Sequence, residues 1–178
     1  MAAPTVQYLS DSEVNEEQDQ ALRELLSLCF TKSRDTIFRH RRYHREIPPH
    51  RWVIFGQDGK LAAHLAMHEK YVMGDEKRIP VGGIGEVCVH PDFRGRSYVR
   101  HLLEEAHSWL RTHDFPFALL FGATEIYASS GYVSVENLSL DVKDGDEIHR
   151  RQATSALVAV LGPQPWPTVP MFLPGLTF

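Results

Sequence analysis

The chain has 178 residues, of which 43% are hydrophobic and 24% charged, a composition typical of a soluble globular protein. These values exclude a fibre or a disordered tail, and no apolar run is long enough to span a bilayer. We expect a single domain over residues 1–178, with its core at about 5–161 and a proline-rich tail at 162–178. The two cysteines, Cys29 and Cys88, are too few for a disulfide framework, which favours a reducing, cytoplasmic location.

The formal net charge of −4 argues against a surface devoted to nucleic acid, but the charge is unevenly distributed. Residues 32–51 contain seven lysines and arginines against Asp35 and Glu46, a net charge of +5. This basic segment is either a solvated charged surface or a local site for an anionic partner. A nucleic-acid module built on it is a further alternative, although we do not expect nucleic acid as a partner. The acidic residues from Asp11 to Asp19 would disfavour an anionic substrate if they face the substrate site.

Hydrophobic periodicity predicts alternating strands and helices. The expected strands, in chain order, are 5–9, 52–55, 61–73, 81–89, 117–121, 132–140 and 156–161. Three helices are expected. The first follows an N-cap at Asn15, the second starts near Ser97 and runs for about four turns, and the third covers 124–129 and ends before Gly131. The basic segment is predicted to be partly helical. Residues 143–146 are predicted to form a turn, and the proline-rich tail is predicted to lack regular structure. The order of elements predicts an α/β fold with a mixed sheet.

One junction carries the clearest chemical signal. The strand 86–89 passes through the turn 90–93 into a helix that opens with Arg94, Arg96 and Arg100. A helix N-terminus presents unpaired backbone N–H groups and the positive end of the helix dipole, which together bind anions such as a pyrophosphate. Three arginines there are mildly unfavourable unless an anion binds, so this junction is a candidate phosphate site.

Two stretches of the sequence resemble the GCN5-related N-acetyltransferases (GNAT family): VCVHPDFRGRSYVRHLL and FALLFGATEIYASSGYVSV. The first is similar to the family's acetyl-CoA signature and the second to its next strand, short helix with tyrosine, and Gly-aromatic turn. The resemblance covers roughly residues 5–161. It implies a mixed, mostly antiparallel central sheet flanked by helices, with acetyl-CoA as the acetyl donor and an amine as the acceptor.

The chain departs from the signature at two positions, where Ser97 and Val99 stand in place of glycines. A Cβ at either position limits how closely the backbone approaches a phosphate. The Ser97 hydroxyl can compensate as an N-cap or a phosphate donor, and Val99 needs only helical angles. A bulky residue at the second glycine position, with the FGxxExYxxxGY arrangement, is also similar to the enhanced-intracellular-survival branch; an aminoglycoside 2'-N-acetyltransferase-like branch is the other that we consider.

The resemblance assigns the cofactor-binding residues to the strand, loop and helix start, namely Val87, Cys88, Val89, Arg94, Gly95, Arg96, Ser97, Tyr98, Val99 and Arg100. The backbone N–H groups of Val87 to Val89 could polarise the thioester carbonyl if the strand bulges there. Glu86 is the expected general base, because a carboxylate beside an apolar strand has a raised pKa. The alternative for Glu86 is an ion pair with Arg94 or Arg96.

Tyr127 corresponds to the family's tyrosine and is the expected general acid for the leaving thiolate. The alternative is an aromatic core residue beside Tyr132.

Cys88 is expected to be a small hydrophobic strand residue and not a nucleophile. His40 and His44 have i, i+4 spacing but lack the glutamate of a metalloprotease motif, so we expect no metal. The other histidines considered are expected at the surface or as caps: His64, His68, His101, His107 and His113.

The sequence therefore predicts an acyltransferase that moves an acetyl group from acetyl-CoA to a primary amine of a small molecule or protein. A basic segment facing the substrate would favour an amine that bears a carboxylate or phosphate. The alternative, supported by the two absent glycines, is a non-catalytic CoA-binding or regulatory module. We expect no membrane partner, and a homodimer is one assembly that the sequence allows.

Overall fold

The computed structural model describes residues 4–144, 147–175 and 177–178. Within them the chain divides into two units. The first includes the residues up to His68, together with Ile84–Ala106 and Phe178. The second lies within Glu69–Gly83 and His107–Thr177.

Ten strands and three α-helices make up the regular structure of the described residues. The strands are β1 Val6–Ser10, β2 His50–Phe55, β3 Leu61–Gly74, β4 Lys77–Val89, β5 Phe117–Phe121, β6 Tyr132–Ser134, β7 Leu138–Asp144, β8 Glu147–Gln152, β9 Ala156–Val160 and β10 Met171–Leu173. The α-helices are α1 Glu16–Cys29, α2 Tyr98–Thr112 and α3 Thr124–Tyr127. Short 3-10 helices cover Asp11–Glu13, Ser33–Arg39, Pro91–Phe93 and Ala128–Ser130.

In the first unit, β1 pairs with β2 and β2 pairs with β3, both antiparallel. The β2–β3 hairpin turns at the predicted Asp-Gly, where Gly59 adopts a φ of +77°. Helix α1 begins at the predicted N-cap, because the Asn15 side chain accepts a hydrogen bond from Gln18 N and the Gln18 side chain accepts one from Asn15 N. The helix buries its leucine stripe in a cluster with β2, β3 and β4: Leu22, Leu25, Leu26, Phe38, Val53, Leu61 and Cys88.

In the second unit, the hydrogen-bonded strands follow the order β6-β9-β5-β4-β3-β10-β7-β8. Strands β4 and β5 run parallel, as do β7 and β10, whereas β5–β9, β6–β9, β7–β8 and β3–β10 are antiparallel. The expected α/β fold, with a mixed and mostly antiparallel sheet flanked by helices, is confirmed. No helix in the described part of the chain is both long and apolar enough to cross a membrane.

The prediction of one strand over 132–140 is wrong, because two strands occupy that stretch. Strand β6 pairs with β9, whereas β7 pairs with β8 and β10. At the break, the Asn137 side chain donates hydrogen bonds to the carbonyls of Pro167 and Val169 and accepts one from Trp166 Nε1. This amide holds the tail against the chain and redirects the strand to new partners.

The prediction that the tail lacks regular structure is also wrong. Strand β10 fits between Pro170 and Pro174, and its residues Met171 and Leu173 are buried. The two prolines flank the strand and so remove no hydrogen bond inside it. Strand β8 has no sequence signal, because all six of its residues are exposed. The predicted turn at 143–146 falls partly outside the described residues, since 145–146 are not among them.

Candidate functional site

Strand β4 contains a kink at Glu86, whose φ is +52°. A bulky non-glycine residue in the left-handed region costs about 1–3 kcal/mol and persists only where the surroundings hold it. The β4–β5 ladder pairs Val81, Gly82 and Gly83 with β5 upstream of this kink. The irregularity that the sequence analysis required near Val87 to Val89 is therefore present in β4, one residue before them.

The Glu86 side chain is only 7% exposed, and its two oxygens have different surroundings. Oε1 accepts a hydrogen bond of 2.7 Å from the His44 backbone N–H. Oε2 lies 3.5 Å from Arg51 Nη1, an ion-pair contact, and accepts no hydrogen bond. Across residues 4–144, 147–175 and 177–178 it is the only buried side-chain oxygen or nitrogen without a hydrogen-bond partner. Such an atom points to a ligand group that would complete the site.

Burial raises the pKa of Glu86 to about 7, because removal from water disfavours the carboxylate more than Arg51 and the His44 N–H favour it. The carboxyl group can therefore gain and lose a proton near neutral pH, as a general base must. The alternative partners suggested for Glu86, Arg94 and Arg96, are not its partners. Arg94 Nε donates to the Val89 carbonyl, and the Arg96 guanidinium lies over the Phe93 ring.

A buried cluster of charges surrounds Glu86, and Arg51 is its centre with 0% exposure. Arg51 Nε donates to Asp11 Oδ1 at 2.7 Å, and Nη2 donates to the Arg42 carbonyl at 3.1 Å. Burial alone would raise the pKa of Asp11, but hydrogen bonds from Arg42 and Arg51 outweigh it and lower that pKa. Asp11 is therefore ionised beside the two guanidinium groups.

His64 is fully buried, so the expectation of a surface or capping residue is wrong. Its Nδ1 lies 2.9 Å from the carbonyl oxygen of Glu86, and its Nε2 lies 2.9 Å from Arg51 Nη1. The same expectation is wrong for His68 and His107, which are each 5% exposed. A histidine within the apolar run LAAHLAM, and an arginine at the start of RWVIF, are the signals that were present for this cluster.

The basic segment 32–51 is partly neutralised by the acidic residues from 11 to 19. Arg42 forms a two-pronged pair with Asp11 at 2.6 and 2.9 Å and contacts Asp19 at 2.9 Å. Arg41 donates instead to nearby backbone carbonyls. Arg41, Arg42 and Arg51 are thus bonded within the fold, which weakens the argument for a basic surface that selects anionic partners, whereas Lys32, Arg34, Arg39 and Arg45 are exposed.

The same segment does not form a metal site by helix geometry. Its 3-10 helix ends at Arg39, so the helical face that His40 and His44 would share is not formed. Nowhere in the described ranges do three His, Cys, Asp or Glu side chains group closely enough to hold a metal ion.

The loop before α2 has two residues in the left-handed region, Gly95 with a φ of +76° and Ser97 with a φ of +58°. Ser97 therefore occupies a backbone conformation that suits the glycine of the signature. Val99 lies inside α2 with helical geometry, as expected. The loop is exposed from Arg94 to Ser97, and Arg100, also exposed, pairs with Glu104 at 2.8 Å. The start of α2 is thus accompanied in the sequence by three exposed cations, Arg94, Arg96 and Arg100, and its N–H groups with these cations are a suitable donor set for a pyrophosphate.

Tyr127 belongs to the second unit, at the end of α3. Its ring packs against Gly122, where a Cβ would lie 2.7 Å from Tyr127 Cε2. It also meets the Tyr132 ring edge-on, with the ring centroids 6.0 Å apart. Tyr132 is buried, and its hydroxyl lies 2.9 Å from His107 Nε2. The aromatic contact that was the alternative for Tyr127 therefore exists, and it orients the ring.

Cys88 is 7% exposed within the leucine cluster, in agreement with a hydrophobic strand residue. Cys29 Sγ, at the end of α1, donates to the Val89 carbonyl at 3.4 Å. The neighbouring Cys88 thiol, joined by the charge of Arg94, lowers the pKa of the half-buried Cys29 to about 7 despite the opposing effect of burial. Both cysteines are free thiols.

The last described residue, Phe178, lies against β4 in the first unit. Its ring stacks on His68, with the centroids 5.9 Å apart, and a Cβ at Gly85 would lie 3.3 Å from its carbonyl carbon. Gly85 precedes Glu86, so a glycine there allows this close backbone approach beside the kink.

Comparison with solved structures shows proteins of the same fold. The GNAT family N-acetyltransferase YhbS from Escherichia coli, in complex with CoA, superimposes with a TM-score of 0.71 at 14% identity, covering 97% of this chain and 91% of that one. A GNAT family acetyltransferase from Brucella melitensis, in complex with acetyl-CoA, gives 0.62 at 15% identity, covering 95% and 96%.

Eis1 from Mycobacterium abscessus matches over 73% of this chain with a TM-score of 0.56 at 13% identity. This chain spans only 31% of that protein. At these identities the likeness shows the fold. No curated protein matches the chain in sequence.

The sequence model of the acetyltransferase (GNAT) domain matches residues 12–135, more than two thirds of the chain. That range includes Glu86, the loop before α2, and Tyr127. The chain therefore belongs to the GNAT acetyltransferase family.

Proposed function

We propose that this chain transfers an acetyl group from acetyl-CoA to a primary amine, with Glu86 as the general base. The observation that carries the proposal is the buried Glu86 carboxyl group, which has one oxygen without a hydrogen bond beside the kink in β4. A free carboxylate oxygen in a dry site is a proton acceptor for an incoming group. Family membership supplies the reaction type.

The chemistry requires such a group. An alkyl ammonium ion has a pKa near 10.4 in water and is not nucleophilic, so its proton must be removed before it attacks a thioester. A carboxylate with a pKa of about 7 is present in substantial amount at neutral pH, and it is a stronger base than an ordinary glutamate. Glu86 takes that proton, directly or through a water molecule.

The acetyl donor fits the exposed loop of the first unit. Acetyl-CoA supplies the activated acetyl group and carries a pyrophosphate, which suits the guanidinium groups, the backbone N–H groups and the start of α2. The CoA and acetyl-CoA complexes of the E. coli and Brucella proteins support this assignment. We assign the donor to Val87, Cys88, Val89, Arg94, Gly95, Arg96, Ser97, Tyr98, Val99 and Arg100.

Tyr127 is proposed as the general acid that returns a proton to the leaving thiolate. A phenol with an ordinary pKa near 10 and a thiol near 8.5 are close enough to share a proton. The contacts of Tyr127 with Gly122 and Tyr132 limit the orientations of its ring. The assignment follows the family position of this tyrosine.

The acceptor is proposed only as a primary amine, because Arg42 and Arg51 are paired with Asp11 and so do not define the charge of the acceptor. A cytoplasmic location, which the two free thiols favour, and a homodimer both stay as predictions.

Acetyl-CoA is expected to raise the melting temperature of the protein and to acetylate members of a panel of primary amines, detected by mass spectrometry. A protein stabilised by a ligand at 100 times its Kd gains about 2.7 kcal/mol. The triple variant Arg94→Ala, Arg96→Ala, Arg100→Ala is expected to lose the thermal shift. Absence of a shift with both CoA and acetyl-CoA would contradict the proposed donor, and a shift without acetylation of any amine would favour a binding module.

Glu86→Gln is expected to lower kcat by about 100-fold, the low end of the effect of a general base. In the unchanged protein the rate rises with pH through about 7, because the base acts in its ionised form. The variant is expected to lose this rise, which a pH–rate profile from pH 5 to 9 measures. Glu105→Gln, on the exposed face of α2, is the matched control and keeps the profile.

Glu86→Gln also tests whether the buried carboxylate destabilises the folded protein. A carboxyl group whose pKa is raised on folding contributes stability at low pH that is lost as the pH rises through about 7. Glu86→Gln is therefore expected to unfold at higher urea concentration than the unchanged protein at pH 8.5, and at a similar concentration at pH 4.5. A variant less stable than the parent at pH 8.5 would show that the Arg51 contact outweighs the burial.

Tyr127→Phe is expected to lower kcat at least tenfold while the KM for acetyl-CoA changes by less than about twofold, because only the proton donor is removed. Steady-state kinetics with saturating amine measures both parameters. Tyr43→Phe is a control outside the proposed site. Unchanged turnover in Tyr127→Phe would remove Tyr127 from the catalytic residues.

Ser97→Gly is expected to be more stable than Ser97→Ala by about 1 kcal/mol, since both lack the hydroxyl group and only alanine keeps a Cβ at positive φ. Urea denaturation of the two variants measures the difference. The glycine variant is also expected to bind acetyl-CoA at least as tightly as the alanine variant. Equal stability would show that the loop relaxes out of the left-handed conformation at little cost.

A further inference from the structure

The hydrogen bonds of Arg51 explain why one Glu86 oxygen is left without a donor. Arg51 Nη1 is within reach of two acceptors, His64 Nε2 at 2.9 Å and Glu86 Oε2 at 3.5 Å. The other donors of Arg51 are directed to Asp11 and to the Arg42 carbonyl, at 2.7 and 3.1 Å. Nη1 carries two N–H groups, and the bonds to His64, Asp11 and the Arg42 carbonyl fix the guanidinium in an orientation in which neither of them forms a hydrogen bond with Oε2.

The protonation of His64 follows from its two partners. A guanidinium group only donates hydrogen bonds, so Nε2 must carry the lone pair that faces Arg51. The proton is therefore on Nδ1, from which it is donated to the Glu86 carbonyl at 2.9 Å. The neutral Nδ1–H tautomer of His64 thus contacts the backbone carbonyl of Glu86 and the side chain of Arg51.

We propose that His64 is a positioning residue that leaves Glu86 Oε2 without a hydrogen-bond donor, by holding the Arg51 guanidinium in this orientation. Its second bond, to the Glu86 carbonyl, helps to hold the left-handed kink that places this carboxyl group. The inference rests on the proposed role of Glu86 as the base. It extends that role to a residue which itself touches neither acetyl-CoA nor amine.

His64 and Asp11, which lie in the charge cluster around Glu86, keep their charge state in the pH range where Glu86 titrates. Burial and the Arg51 charge lower the pKa of His64 to about 3, and Asp11 has a lowered pKa, so neither changes protonation between pH 6 and 8. Burial lowers the pKa of the His44 imidazole, whose backbone N–H meets Oε1. The Cys88 thiol, in contact with Cys29, has a raised pKa, whereas Cys29 titrates near 7 and must be told apart from Glu86.

Two conservative variants separate the two bonds of His64. His64→Asn can keep a donor near the position of Nδ1 but lacks an acceptor that reaches Arg51. His64→Gln can keep an acceptor near the position of Nε2 but lacks the donor to Glu86. Protein labelled with ¹³C-glutamate reports the titration of the Glu86 carboxyl carbon, which is assigned by its loss in Glu86→Gln and is distinct from any thiol signal.

The expected pKa of Glu86 is about 7 in the unchanged protein. In His64→Asn we expect it to fall by about one unit, because Arg51 Nη1 turns to Oε2 and a hydrogen bond favours the carboxylate. In His64→Gln we expect a change of less than about half a unit. The rise of the rate with pH should move with the carboxyl titration in each variant. His107→Asn, a buried histidine bonded to Tyr132, is the control and should leave the Glu86 titration unchanged.

An unchanged titration in His64→Asn, or an equal fall in both variants, would overturn the role of His64. A fully active Glu86→Gln would instead overturn the proposed base, and with it any catalytic role for His64. If a variant does not fold, ¹⁵N-histidine spectra of the unchanged protein decide. The Nδ1–H tautomer from pH 5 to 9 supports the proposal, and an Nε2–H or doubly protonated ring overturns it.

Discussion

The constraint on which the first unit depends is the burial of the Arg51 guanidinium. A cation with no solvent exposure must have its charge and its donors satisfied by the protein, or the cost of removing it from water is several kcal/mol. Asp11 supplies the charge, and the Arg42 carbonyl and His64 accept further hydrogen bonds. These partners come from the end of β1, from the basic segment and from β3. One side chain thereby fixes the elements among which Glu86 is placed.

Burial raises the pKa of Glu86, and the pairing of the charges in this cluster explains why its arginines do not cancel that effect. Arg42 and Arg51 share Asp11, and Arg42 and Arg23 share Asp19, so the carboxylates nearest to these arginines are already paired. Glu86 is then a third carboxylate in a dry region, with the Arg51 charge divided between it and Asp11. Protonation near neutral pH is the inexpensive way to bury it. The raised pKa is thus a property of the whole cluster and not of one contact.

Local signals in the sequence predicted much of the fold and only part of the site. The capping residue Asn15, the Asp58-Gly59 turn and the apolar strands act through neighbours in the chain, and the structure has them. The junction before α2 was found because its arginines and its family signature are contiguous. Arg51 and His64 were missed since their partners lie 13 to 40 residues away, and burial of a charge is decided by tertiary contacts. Strands β8 and β10 were missed because an exposed edge and a proline-flanked strand lack alternation.

The thiol of Cys29 has a practical consequence for measuring any acetyl transfer. Liberated CoA is commonly counted with chromogenic disulfides, which react with thiolates. Because Cys29 is half-buried and ionises at about pH 7, it is itself a target of such reagents, whereas Cys88 is shielded. Each protein molecule would then contribute its own absorbance before the first turnover. Modification of Cys29 would also change the charge beside Arg94. The reagent would therefore perturb the loop that is proposed to bind the CoA whose release it measures.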